Sequence, residues 1–272
     1  MTRHSPVPAD MGDLEFGSSY LRLELAAVGD IEQFDDPVLA YDRISQAYGK
    51  LAQRRERYLI AVEREILSRV PLGSKSLLDI GAGDGSRALR IASQTGIGRI
   101  ALVEPSAKMA DRTPNNAEIW HVRAEELGDR PSDEKFDVIT CLWNVLGHVR
   151  GTALRIEALK AIKGLLSQDG RFFMDVTHRY NVHSYGFVPT ALRFLYDYFA
   201  PSDKNGDVMA YWNIGERRIG TYGHVFTHRE IMHLAVASGL KPEERVVIDY
   251  EDGQVRRRTF QGNLFYVFRR QP

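Results

Sequence analysis

Three stretches of this sequence carry residue types and spacings able to do chemistry. The first is Gly81-Ala82-Gly83-Asp84-Gly85, with glycine at three alternate positions. It follows the largely apolar run Ser76 to Ile80 and precedes Arg87-Ala88-Leu89-Arg90-Ile91-Ala92, a run of good helix formers. Glycine takes positive φ and lets the backbone approach a ligand, and a helix N-terminus offers unpaired N–H groups. Strand, glycine turn and helix lay out a nucleotide-type cofactor site, although Ser86 departs from the G-x-G-x-x-G dinucleotide pattern. A tight β–α turn without a ligand is the plainer alternative. Glu104 ends the next apolar run, in Val103-Glu104-Pro105, where a carboxylate can accept two hydrogen bonds from a ribose diol.

The second stretch is Trp143-Asn144-Val145-Leu146-Gly147-His148. His148 titrates near neutral pH and suits the role of base; its alternative is a structural hydrogen bond to a backbone carbonyl. Asn144 suits contact with an amine, or a turn. The third begins at Asp175 and contains His178, Arg179 and Tyr180. Arg179 suits a carboxylate or phosphate, and His178 and Tyr180 are alternative acid–base groups. The competing reading is a polar hinge. Farther on, Tyr222, His224 and Phe226 share one side of a strand, there to roof a substrate pocket or simply to pack.

These groups need a scaffold, and the apolar periodicity supplies one. Strands at 76–80, 99–104, 117–122, 136–142 and 171–176 alternate with helical stretches at 85–94, 106–112 and 152–166, which predicts a parallel α/β sheet. All the candidate groups up to Asp175 then fall at strand C-terminal ends, where open α/β sheets bind ligands. Upstream, Pro37 to Val70 reads as two helices broken near Gly49. Tyr41 and Tyr48, seven apart, share a helix face. Residues 1–36 lack clear periodicity and read as a flexible N-terminal arm, with a short helix around Tyr20 to Ala27. The α/β rhythm stops over residues 178–227, predicted to hold a helix at 189–199 and a hairpin of strands 207–213 and 217–226. It resumes with a helix from Thr227 to Ser238, opened by a Thr227–Glu230 capping box, and with strands at 244–250 and 264–269.

Composition narrows the function classes. Hydrophobic residues make up 43% and charged residues 26% of 272, as in a soluble globular chain. Lys+Arg and Asp+Glu are both 36, so no net field attracts nucleic acid or an anionic membrane. One cysteine, Cys141, excludes an internal disulfide framework and a cysteine-based zinc site. No H-x-x-x-H or paired-carboxylate motif calls for a metal. No apolar signal-peptide core or membrane-length run occurs, so a cytoplasmic setting is the default expectation.

Taken together, LLDIGAGDGSRA, ALVEPSAKMA, HVRAEEL and FDVITCLWNVLGHV resemble the class I S-adenosylmethionine-dependent methyltransferases. The resemblance covers residues 40–177 well and 227–270 in outline. It implies a Rossmann-like, doubly wound α/β fold: a mostly parallel sheet with an antiparallel last strand and an inserted lid. Residues 37–272 would be the methyltransferase domain, with 178–227 as the substrate lid. It implies that Asp79, Gly81, Ala82, Gly83 and Gly85 shape the pocket for the methionine part of the cofactor and that Glu104 holds the ribose. Pro105, Ser106 and Met109 would border the adenine, with Ala124 and Glu125 near its amino group, although the family often has Asp where Glu125 stands. Cys141, Leu142 and Trp143 would line the other side. Tyr41-Asp42-Arg43-Ile44-Ser45-Gln46-Ala47-Tyr48 resembles the helix that caps the cofactor in many members, with Ser45 in place of a small Ala. The activity implied is methyl transfer from S-adenosylmethionine, leaving S-adenosylhomocysteine, to N or O of a small molecule. His148, Asn144 and His178 are its candidate catalytic residues, and Arg179, Tyr180, Tyr222 and His224 its candidate substrate contacts. Two other readings stand beside it. Gly206 to Trp212 and Tyr222 to Phe226 look somewhat like wobble-uridine tRNA methyltransferases, with Arg256, Arg257, Arg258, Arg269 and Arg270 as a local basic face; zero net charge argues against nucleic acid. A non-catalytic cofactor-binding protein is the third. A homodimer is compatible with the sequence and has no direct signal in it.

Overall fold

The computed structural model describes residues 30–113, 117–130 and 133–271. The chain opens with β1 (Ile31–Phe34), then α1 (Pro37–Ile44), α2 (Tyr48–Arg54) and α3 (Glu56–Leu67). A βα series follows: β2 (Ser76–Ile80), α4 (Ser86–Thr95), β3 (Arg99–Val103), α5 (Ala107–Ala110), β4 (Glu118–Trp120), β5 (Phe136–Cys141), α6 (Thr152–Leu165) and β6 (Leu166–Val176). Residues 177–227 then carry α7 (Val182–Tyr185), α8 (Phe187–Phe199), β7 (Asp207–Ile214) and β8 (Arg217–His224). The chain closes with α9 (His228–Ser238), β9 (Leu240–Ile248), the short β10 (Val255–Arg256) and β11 (Asn263–Arg270).

The eight-stranded sheet runs β10-β9-β11-β6-β5-β2-β3-β4. Strands β2 to β6 pair parallel, and β11 lies antiparallel between β6 and β9, as expected for the final strand. Strand alternation sends side chains to two cores, one on each face. Leu78, Ile80, Leu264 and Tyr266 pack in one with α6 and α9 residues such as Ile162 and Leu234. Leu77, Phe265 and Val267 pack in the other with Tyr58, Val62 and Ile66 of α3 and Ile91 of α4. Helices on both faces make the fold doubly wound. Among the described residues, no helix is long and apolar enough to cross a membrane.

Several boundaries differ from the sequence expectation for identifiable reasons. The expected arm extended to residue 36, but Ile31–Phe34 pairs in parallel with Arg218–Thr221 of β8, because the inserted hairpin leaves that edge open. The rest of the expected arm, with the helix around Tyr20 to Ala27, lies outside the described residues. Three helices, not two, fill 37–67: Gly49 sits inside α2, and the breaks fall at Ser45–Ala47 and at Arg55. Strand β6 begins at Leu166 rather than Arg171, since Phe136 of β5 already pairs with Leu166. Strand β9 starts at Leu240, its exposed Lys241–Arg245 segment hiding it from any apolar pattern.

The inserted β7–β8 hairpin and β1 form a separate three-stranded sheet in the order β1-β8-β7. Trp212 and Ile219 of this sheet bury against Ala40 and Ile44 of α1 and Leu51 of α2. In α8 only Thr190 is fully buried, and Phe187, Tyr198 and Phe199 stand exposed.

Candidate active site

Parallel register aligns the C-terminal ends of the central strands. Ile80 pairs with Val103 and with Cys141, Val103 with Trp120, and Cys141 with Met174. Gly81, Glu104, Leu142 and Asp175 therefore emerge at one sheet edge, where the strand order reverses around β2 and opens a crevice. A cavity opens at that position.

At one end Glu104 is 6% exposed and accepts from the Gly83 amide at 2.7 Å and the Ser106 amide at 2.8 Å, one on each carboxylate oxygen. Burial pushes its pKa up to about 7, against the pull of the two amides. The glycine turn is forced by its surroundings. Gly81 has φ +68°, and a Cβ there would meet both Val145 γ-methyls at about 2.5 and 2.6 Å. At Gly83, φ +61°, a Cβ would lie 3.0 Å from the Tyr48 hydroxyl. Both turns press the backbone against the cavity wall with no room for a side chain.

Helix α1 closes over this end. Asp36 caps it through the Val38 amide and receives both of its carboxylate contacts from Arg123 at 2.8 Å. The Ser106 hydroxyl donates to Asp42 at 2.6 Å. Tyr41 and Tyr48, from α1 and α2, reach the cavity with their rings 6.5 Å apart, and Tyr48 lies 5.8 Å from the Trp143 ring.

At the other end the chain turns sharply at Trp143 and Asn144, both at φ +61°, a conformation that side chains rarely adopt and that surrounding bonds must hold. Asp175 supplies them. Its Oδ1 accepts the Trp143 amide at 2.5 Å and its Oδ2 the Tyr58 hydroxyl at 2.6 Å, while its own carbonyl accepts the Asn144 amide at 3.3 Å. This turn presents His148 to the cavity. His148 Nδ1 lies 2.9 Å from the Tyr222 carbonyl, which only accepts, so Nδ1 carries the proton. Nε2 then has a lone pair and accepts from the Tyr41 hydroxyl at 3.1 Å. Burial holds the His148 pKa below its ordinary value, so the ring is neutral at pH 7.

The structure places Tyr41, Tyr48, Gly81, Gly83, Glu104, Pro105, Ala124, Glu125, Leu142, Trp143 and His148 on the cavity wall. Asp79, Ala82, Gly85, Met109 and Cys141 are buried behind it. Asp79 accepts from Thr140 at 2.6 Å through Oδ1, leaves Oδ2 buried without a partner, and has its pKa raised by burial against the Arg87 charge.

Two expected catalytic residues are not brought there. The Asn144 side chain is committed at both ends, donating to the His224 carbonyl at 3.1 Å and accepting the Thr177 amide at 3.0 Å, so it takes its turn-forming alternative. His178 is 3% exposed and lies outside the cavity, its pKa lowered to about 4 by burial and by the Arg245, Arg179 and His228 charges. The four expected substrate contacts form a second cluster behind β8. Arg179 bonds Asp197 at 3.1 Å and Glu230 at 2.5 Å, and Tyr180 donates to Asp197 at 2.6 Å. Tyr222 donates to Asp207 at 2.8 Å, and His224 Nδ1 lies 2.7 Å from the same oxygen. Strand alternation explains the correction: Ile219 faces α1, so Tyr222 and His224, of the other parity, point away.

Sequence reasoning missed Val38, Arg123 and Val145 on the wall, and Trp212, whose ring packs edge-on to Tyr41 at 5.2 Å. Arg123 had a signal, standing one residue before Ala124 in the HVRAEEL motif. Trp212 had none, because only the hairpin's fold back onto α1 brings it near.

A family profile described as a methyltransferase domain matches residues 50–245. Among solved structures, the methyltransferase CcbJ from Streptomyces caelestis superposes with a TM-score of 0.60 at 15% identity, covering 78% of this chain and 90% of its own. CalS10, an amino pentose methyltransferase from Micromonospora echinaspora solved with S-adenosylmethionine, gives 0.55 at 14% identity, covering 83% and 97%. The sugar N-methyltransferase KedS8 from Streptoalloteichus gives 0.53 at 17%, covering 95% and 100%. A search of curated proteins finds no match. The profile spans well over half of the chain, across the glycine turn, Glu104 and His148, and on that ground the chain belongs to the methyltransferase domain family, in the fold of the class I S-adenosylmethionine-dependent enzymes.

Proposed function

We propose that this protein transfers the methyl group of S-adenosylmethionine to a nitrogen or oxygen of a small molecule. The observation that carries this reading is a neutral imidazole, His148, with a basic Nε2 on the wall of the same cavity that Glu104 and the glycine turn close at the other end. S-adenosylmethionine, when bound, supplies an electrophilic methyl on a sulfonium. The residues present fit it. Each Glu104 oxygen keeps a lone pair for a ribose hydroxyl beside the amide it already accepts. Gly81 and Gly83 let the backbone form the wall.

The protein's own contribution is positioning and proton removal. His148 Nε2 takes the proton from an acceptor O–H or ammonium as Tyr41 swings its hydroxyl aside, and the Tyr222 carbonyl stabilises the imidazolium that results. Trp143, Tyr41, Tyr48 and Val145 exclude water and leave an aromatic-lined space for the acceptor. The 177–227 insertion supplies Trp212 and the Tyr222 carbonyl and so acts as the substrate lid. The relatives described as amino pentose and sugar N-methyltransferases make amino sugars the first acceptors to assay. Nucleic acid is disfavoured, because Arg256 pairs with Asp249 and Asp252, and Arg269 with Glu243.

Calorimetry with S-adenosylmethionine, followed by turnover on an amino-sugar panel, tests the reading. His148→Ala is expected to lower kcat by about 10²–10⁴-fold with cofactor affinity kept. Absence of cofactor binding would sink it, and binding without turnover on any acceptor would favour a non-catalytic protein. Salt-sensitive tRNA binding would revive the tRNA reading.

A further inference from the structure

A second cavity, of about 530 Å³, opens behind β8 between the first turns of α6 and α9. Its walls hold charges of both signs, and nearly all are already spent. Arg179 is neutralised by Asp197 and Glu230 together. Glu230 is held down to about 2 against burial, by bonds from His224 and the Thr227 amide and by the Arg179 charge. At the rim, Asp203 and Arg229 are both exposed.

Arg155 is the exception. It is 2% exposed and lines this cavity. Its Nε donates to the Val149 carbonyl at 2.9 Å and its Nη2 to the Tyr222 hydroxyl at 3.0 Å, both neutral acceptors. Its nearest carboxylate is Asp207, 3.9 Å away, whose Oδ1 is already engaged by Tyr222 and His224. Nη1 donates to no group among the described residues. A buried guanidinium held only by a long ion pair to Asp207 and the face of the Phe226 ring, 5.3 Å away, is incompletely compensated, and burial lowers its pKa.

A second feature points the same way. Arg155 sits in the first turn of α6, a helix of 14 residues that starts after Gly151 with no side chain capping it. Thr152, at its first position, also lines the cavity. Unpaired N–H groups and the positive end of the helix dipole favour an anion.

We propose that this cavity binds a small molecule through an anionic group, a phosphate or carboxylate, seated on Arg155 Nη1, the Thr152 hydroxyl and the uncapped start of α6. Arg229 and His233 stand at the mouth. The site is distinct from the cofactor cavity, yet one residue joins them: Tyr222 accepts from Arg155 through its hydroxyl and from His148 Nδ1 through its carbonyl. An occupant that draws Arg155 toward itself therefore acts on the residue that sets the His148 tautomer.

The test uses the full chain without S-adenosylmethionine, so its outcome is independent of the methyl-transfer reading. Inorganic phosphate and malonate are titrated separately by calorimetry. Saturable one-to-one binding of phosphate, of malonate or of both supports the site and names the anion class. Arg155→Met is expected to weaken it by about tenfold or more, the loss of one charge-assisted contact. If Arg155→Met does not fold, Arg229→Ala and Thr152→Val, at less buried positions, carry the test, with a several-fold weakening expected. No saturable binding of either anion, or equal affinity in wild type and in every folded variant, overturns the proposal.

Discussion

Glu104 and His148 are both buried titratable groups, and burial moves each toward its neutral form. For His148 the proposed role as base needs the neutral form, with its proton on Nδ1. For Glu104 the proposed contact with two ribose hydroxyls needs the ionised form. With its pKa at about 7, S-adenosylmethionine affinity is expected to rise through neutrality and to fall by up to about tenfold per pH unit below it. Calorimetry from pH 6 to 8 checks this, and Glu104→Gln should bind more weakly with no such slope. A flat wild-type profile would show that Glu104 is ionised throughout.

Among the elements, the β2–α4 turn is the least tolerant of change. A Cβ at Gly81 meets a double obstacle, positive φ and the Val145 methyls, whereas Gly96, with φ +72° at the end of α4, has open space around it. Gly96→Ala is expected to cost about 1 kcal/mol, the left-handed penalty alone. Gly81→Ala should cost about 2–4 kcal/mol, because the clash adds to it. Thermal melts of the two variants separate the contributions; equal losses would mean that Val145 gives way freely. The insertion's β8 is the other decisive element, since its Tyr222 carbonyl reaches His148 while its His224 side chain lines the second cavity.

At the scale of the whole molecule, acid stability follows from buried neutral histidine. His178 has a folded pKa of about 4, below that of the unfolded chain, so the unfolded state binds the extra proton first. Stability from this group is complete above the unfolded value near 6.5 and is lost as pH falls toward 4, by roughly 2–3 kcal/mol. Urea unfolding at pH 7 and pH 5 checks it, and His178→Gln should flatten the difference. Much of the fold was legible because period-two and period-3.6 patterns are local properties: Ser76–Ile80, Thr152–Leu165 and the Thr227–Glu230 capping box stand where they read. Strand β1 and the polar half of β9 were not, because their burial depends on a partner strand distant in sequence.

By itself the sequence placed Gly81, Gly83, Glu104 and Leu142 on one cavity, since each lies within a few residues of a strand end and parallel register aligns those ends. It also narrowed His148 to two roles; the structure shows the hydrogen bond to a backbone carbonyl, and Nε2 keeps the lone pair that the proposed role as base needs. Only the tertiary structure decided where the insertion's side chains point. A one-residue change of strand parity moves a side chain from one face to the other, and no local pattern states which face of a hairpin will be laid against α1. That choice sent Arg179, Tyr180, Tyr222 and His224 away from the cavity that Glu104 and His148 line, laid Trp212 against Tyr41, and left Arg155 buried with only a long ion pair to Asp207.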